Sequence, residues 1–308
     1  MRTTLTLAAA GMMAVFGTLK AEEPTIALVQ INQQALFFNQ MNEGATEAAE
    51  EAGAKLVIFN ANNDPAAQNN AIETYIAEGV NAIVVVAIDV NGVMPAVQQA
   101  ADAGIHVLAV DAILPDGPHK AQIGVDNGGA GGDIGAHFLG YVDSDMGGGA
   151  KIGIVGALNS FIQNVRQEGF ETAIAANGDV EVVGVVDGRN IQDNALAAAE
   201  NLMTGNPDMN TIYATGEPAL VGAVAAVEAQ GATDRVKVFG WDLTAQVIKA
   251  IDDGYVEAVV QQDPYGMGAA AVDAAMTLIS GGEVEAVIDV PITIVTKDNV
   301  NDFRSMFE

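Results

Sequence analysis

Polar and aromatic side chains gather where the short apolar runs of this chain end. Gln33, Gln34, Phe37, Phe38 and Asn39 come after the run 25–29, and Asp111 comes directly after 107–110. Gly240, Trp241 and Asp242 come after 236–239, and Gln261, Gln262, Asp263 and Pro264 after 258–260. These residue types suit a compact hydroxyl-rich ligand. Aromatic faces pack on the C–H faces of a pyranose or furanose, while Asp, Asn and Gln exchange hydrogen bonds with vicinal hydroxyls. A buried carboxylate aimed at hydroxyls is a strong, orienting acceptor. Each residue also has a plainer role open to it. Phe37 and Phe38 are adjacent, so one of them faces the core; Trp241 could be packing, and Asp111 and Asp242 could cap helices. The weight lies in their recurrence at the ends of separate runs.

Catalytic alternatives find little support. His106, His119 and His137 lack metal-ligand spacing, and the chain has no cysteine. There is no Gly-x-Ser-x-Gly elbow and no Gly-x-x-x-x-Gly-Lys phosphate loop. The run Gly128-Gly129-Ala130-Gly131-Gly132 misses the dinucleotide register, because Ile134 stands where the third glycine belongs. Together with Gly147, Gly148 and Gly149 it reads as loop and close-packing glycine. No enzyme activity, cofactor or metal is expected.

The elements that must hold these residues follow a repeated pattern. Apolar runs at 25–29, 56–59, 82–86 and 107–110 read as strands. Amphipathic segments at 39–52, at 93–103 and after Asp64-Pro65 lie between them with helical spacing. A second series has strands at 151–155, 182–186, 211–214, 236–239 and 258–260, with helices beginning near Val165, Gln192, Ala219 and Thr244. A helix at 267–280 and a strand at 287–290 finish the chain. Strands that are apolar throughout, alternating with helices, form parallel sheets covered on both faces. The predicted fold is therefore α/β with two doubly wound, Rossmann-like domains, in which ligands sit at the carboxyl ends of the strands.

The N-terminus reads as an address. Arg2 precedes the uncharged apolar stretch 5–19, and Lys20-Ala21 is followed by Glu22-Glu23. This is the pattern of a secretory signal peptide, residues 1–21, cleaved near Ala21. About 290 residues then remain, enough for two domains with real cores. Without a cysteine to lipidate, the exported product is expected free in the periplasm of a bacterium with two membranes. Acidic residues outnumber basic ones 40 to 12, for a net charge of −28, which makes nucleic acid and anionic lipid poor partners.

Several pieces carry a family resemblance: Phe37-Phe38, Asp111, Gln167-Glu168-Gly169-Phe170, Asn201 through Asp208, Gly240-Trp241-Asp242 and Gln262. On these the chain resembles the ribose/galactose-type periplasmic sugar-binding proteins, over nearly all of its length after residue 24. The resemblance implies the type I periplasmic binding protein fold, two lobes joined by a three-stranded hinge. The first lobe would hold residues 24–125 plus 262–291, and the second 126–261 plus 292–308. A sugar would be trapped between them and delivered by a monomer to an ABC permease in the inner membrane. By position, Phe37 and Phe38 match stacking aromatics of the first lobe, and Trp241 that of the second. Asp111, Asp242 and Gln262 match hydroxyl-binding positions.

The departures matter as well. Ala112 stands where ribose binders have arginine, and Asn164 replaces a second cleft arginine, with Arg166 read as structural. Gly216 replaces an asparagine, and Asn190 an aromatic. Losing two guanidiniums removes rigid donors and charge, so the implied ligand is a small neutral sugar or polyol rather than ribose or a sugar acid. The alternatives are an autoinducer-2-like furanose read for signalling, and the effector half of a LacI-type repressor. The latter needs an N-terminal helix-turn-helix where the signal peptide stands.

Overall fold

The computed structural model describes residues 23–33 and 36–307. The signal peptide expected at 1–21 lies outside these residues. The chain opens β1 (Thr25–Gln30), α1 (Leu36–Ala52), β2 (Lys55–Asn60), α2 (Pro65–Glu78), β3 (Ala82–Val85), α3 (Met94–Asp102), β4 (His106–Val110), β5 (Ala121–Gly124). It continues α4 (Asn127–Asp145), β6 (Ala150–Gly156), α5 (Phe161–Ile174), β7 (Val180–Asp187), α6 (Gln192–Gly205), β8 (Thr211–Ala214), α7 (Glu217–Ala229). It ends β9 (Lys237–Trp241), α8 (Ala245–Asp252), β10 (Val256–Gln261), α9 (Pro264–Ile279), β11 (Val287–Asp289), β12 (Thr293–Val295) and a 3-10 helix, Val300–Phe307.

Two six-stranded sheets result, in the orders β11-β5-β4-β3-β1-β2 and β12-β10-β9-β8-β6-β7. Every pairing is parallel except β10 with β12. The first five strands of each sheet repeat one doubly wound order, whose switch points fall between β1 and β3 and between β6 and β8. The inner strands β1, β3, β4, β6, β8 and β9 are mostly buried and largely apolar because helices cover both faces. In the first sheet α1 and α9 pack on one face (Met41, Ala45, Met267, Ala271), and α2 and α3 on the other (Ile72, Val93, Val97). The chain crosses from sheet to sheet three times: from β5 into α4, from β10 into α9, and from β11 into β12.

Two expectations change. The 128–132 glycines lie within α4 rather than in a loop, and they close-pack it on α5. A Cβ at Gly131 would sit 2.3 Å from the carbonyl oxygen of Arg166, and one at Gly169 2.2 Å from that of Gly128. The first lobe does the same: Gly44 and Gly268 bring α1 and α9 together, each with room for a Cβ only 2.0 Å from a backbone oxygen. The short strands β5 and β12 have no long apolar run and are visible only through their pairing.

Candidate ligand-binding cleft

The carboxyl ends of both sheets face a common cleft of about 710 Å³, within the range of small-molecule sites. Asp111 follows β4 and Asp242 follows β9, equivalent strands of the two repeats. Both have left-handed backbones, with φ of 63° and 67°. Asp tolerates this conformation better than most residues. Each is held there by its own N–H, which donates to the next strand: Asp111 to Ile123 at 2.9 Å and Asp242 to Val260 at 2.8 Å. A glutamine on that strand braces each loop. Gln122 donates to Ala112 and accepts from Leu114; Gln261 donates to Gln262 and accepts from Leu243.

Arg166 lies beside these carboxylates, on the cleft wall and 6% exposed. Its Nε donates to Asn127 at 2.8 Å, its NH1 to the Thr215 carbonyl at 3.4 Å, and NH1 stands 4.0 Å from Asp242. Burial pushes the carboxyls of Asp111 and Asp242 up, and Arg166 partly opposes the rise. Burial also draws the guanidinium down while both aspartates hold it up. Arg166, read from the sequence as structural, thus places a cation beside carboxylates that the loss of two arginines was expected to leave without one.

The structure brings Phe37, Asp111, Asp242 and Gln262 to the cleft wall. Gln262 donates to Asp242 at 2.8 Å. Phe38 does not reach the wall; it backs Phe37 edge-on, with centroids 5.3 Å apart, and packs on the core. Trp241 is also off the wall. Strand β9 runs through it, so it points into the core beneath the sheet and is fully buried. Its Nε1 donates to the Tyr213 hydroxyl at 2.8 Å, and Arg166 lies on its ring at 3.8 Å. Trp241 is thus a platform for the guanidinium rather than for a ligand.

Asn164 is exposed and donates to the Leu158 carbonyl at 3.2 Å. The helical turn puts Gln163 and Arg166, three apart, on the cleft side instead. Asn190 also lies off the wall and accepts from Gln163 at 2.7 Å. Gln163, buried, accepts from Thr215 and covers Gly216, where a Cβ would meet its amide at 2.8 Å. A glutamine from α5 therefore fills the space of the missing asparagine. Sequence reasoning missed Gln163, Arg166, Glu217 and Phe307 on the wall. Gln163 and Glu217 each stood next to a position already singled out, Asn164 and Gly216, and Arg166 had been read only as structural.

A family model for a periplasmic binding protein domain matches residues 26–283. The chain belongs to that family of two-lobed binding proteins. It is 30% identical over 275 residues to the ribose import binding protein of Escherichia coli (strain K12), covering 89% of this chain and 90% of that one. A periplasmic solute binding protein from Actinobacillus succinogenes 130z, solved with bound D-allose, superposes with a TM-score of 0.82 at 26% identity, over 91% of this chain and all of that one. A solute binding protein from Bacillus halodurans C-125 with bound myo-inositol gives 0.77 at 25% identity, over 92% and 98%.

Proposed function

We propose that this protein is a periplasmic solute-binding protein that captures a small neutral sugar or polyol and delivers it, as a monomer, to an ABC permease in the inner membrane. The observation that carries this reading is the pair Asp111 and Asp242, set at matching strand ends around Arg166 with Phe37 on the same wall. The carboxylates accept hydroxyl hydrogens, the aromatic covers a C–H face, and nothing in the arrangement is a nucleophile poised beside a base. A neutral ligand fits even with Arg166 present. The wall carries Asp111, Glu217 and Asp242 against one guanidinium, and that guanidinium is already engaged by Asn127, Thr215 and Asp242. An anion entering such a desolvated site meets like charge.

The lobes 24–125 plus 262–291 and 126–261 plus 292–308 close on the ligand about the three crossings. Residues 1–21 direct export and are removed as the chain is exported. Among the described residues no helix is long and apolar enough to cross a membrane. A thermal-shift screen of the mature protein against pentoses, hexoses, tetritols, inositols and their acids, followed by calorimetry, tests the reading. Binding of a neutral sugar or polyol at micromolar or tighter affinity, with ribose weak, is expected. Preference for a sugar acid, or for ribose over other neutral sugars, refutes it.

A further inference from the structure

The hydrogen-bonding capacity of the cleft is unevenly spent. Gln163 is paired with Asn190 and Thr215, Gln261 with backbone, and Gln262 and Arg166 both face Asp242. The Ser160 and Thr244 oxygens accept the N–H groups of Gln163 and Val247. Two carboxylates on the wall accept nothing from any described residue: Asp111 in the first lobe and Glu217 in the second. Glu217 opens α7 at the switch point of the second sheet, directly after Gly216, which supplies no side-chain cap. Burial and the nearby Asp242 charge push its carboxyl up. Glu217 is exposed to the cleft, so water serves its carboxylate until a ligand hydroxyl takes that place.

We propose that Glu217 is a ligand-binding, specificity-determining residue that works with Asp111 across the cleft. Each accepts a hydroxyl hydrogen from an opposite edge of one ligand, so the ligand bridges the lobes. The inference rests on the sugar or polyol reading and narrows it to a ring, a pyranose or cyclitol, with hydroxyls on two opposite edges. Ligand-free, Asp242 repels both Asp111 and Glu217; with such a ring between them, that repulsion is offset by hydrogen bonds to charged acceptors.

Glu217 also sits where a carboxylate favours the α7 dipole, a purely structural use. Calorimetric titration of the mature protein with D-glucose, D-galactose, D-allose and myo-inositol separates the two. Glu217→Ala should weaken the best of these by about 10- to 100-fold, in line with loss of a hydrogen bond to a charged group. Glu217→Asp keeps the charge at the helix end but shortens its reach. It should also lose affinity, with an unchanged melting temperature in the unliganded protein. One monodeoxy analogue of that ligand should bind wild type more weakly yet bind Glu217→Ala no worse than the parent compound does. If wild type binds one of the four and Glu217→Ala binds it within twofold, the Glu217 role is overturned and the sugar reading stands. If wild type binds none of them, the ring-ligand inference falls whatever the variants do.

Discussion

At the scale of single residues, the cleft is held by charges that the fold would be more stable without. Asp111 and Asp242 have carboxyls raised by burial, so the folded protein binds protons more tightly than the unfolded chain, whose value is near 3.8. Stability from these two groups is therefore greatest when they are protonated and falls as pH rises from about 3.8 through their raised folded values. The variant Asp111→Asn, which leaves Asp242 to compensate Arg166, should melt higher than wild type at neutral pH without ligand, with a shallower dependence of melting temperature on pH. Changing either aspartate to alanine should cost about 10- to 100-fold in ligand affinity. Melting curves across pH 4–8, paired with calorimetry, check both halves. A variant that melts lower and binds normally would mean that the pair is structural. Arg166 is the counterweight: stacked on Trp241 and tied to Asn127, it lends charge without being free to move.

At the scale of elements, the helices beside the crossings are joined by glycines. The α4–α5 and α1–α9 pairs approach so closely that a methyl group at the contact collides with backbone, which cannot yield as a side-chain end can. Gly169→Ala should therefore destabilise by about 1–3 kcal/mol, the usual cost of overpacking. Gly140→Ala, in the same α4 helix but with nothing within 4 Å of a Cβ, should stabilise by roughly 0.5–1 kcal/mol through propensity alone. Denaturant midpoints of the two variants decide this. Equal effects would show that α4 and α5 relax apart at little cost. The close approach fixes α5 against α4, and α5 carries Gln163 and Arg166 to the cleft.

For the whole molecule, three chain crossings and one shared cleft imply two bodies that move about a hinge. Only a closed form touches a small ligand from both sides, so ligand shifts the population toward closure by its differential contacts. Small-angle scattering should show a smaller radius of gyration at saturation with the sugar or polyol found in the screen. An unchanged radius would mean that the lobes are already closed, or rigid, without ligand. The net charge of −28, scattered along the sequence, gives the protein a long-range field.

The sequence alone determined the alternation of strands and helices, the division into two repeats and the strand ends where Asp111, Asp242 and Gln262 stand. These follow from local rules: apolar runs buried on both faces, helical spacing between them, and ligands at carboxyl ends. Where the reading failed, a single residue of register decided the outcome. Trp241 and Asp242 are neighbours, but β9 continues through the first and ends at the second, so one enters the core and the other the cleft. Asn164 lies one residue past Gln163, about 100° around the helix, and faces solvent. The role of Arg166 needed Asn127 brought beside it from α4, and Trp241 and Asp242 from the end of β9. The helix glycines were legible as close-packing residues but not as helical, because their partners lie on a different helix, as at Gly131 and Arg166. Which side chains line the cleft is set by contacts distant in sequence, and only the tertiary structure brings those together.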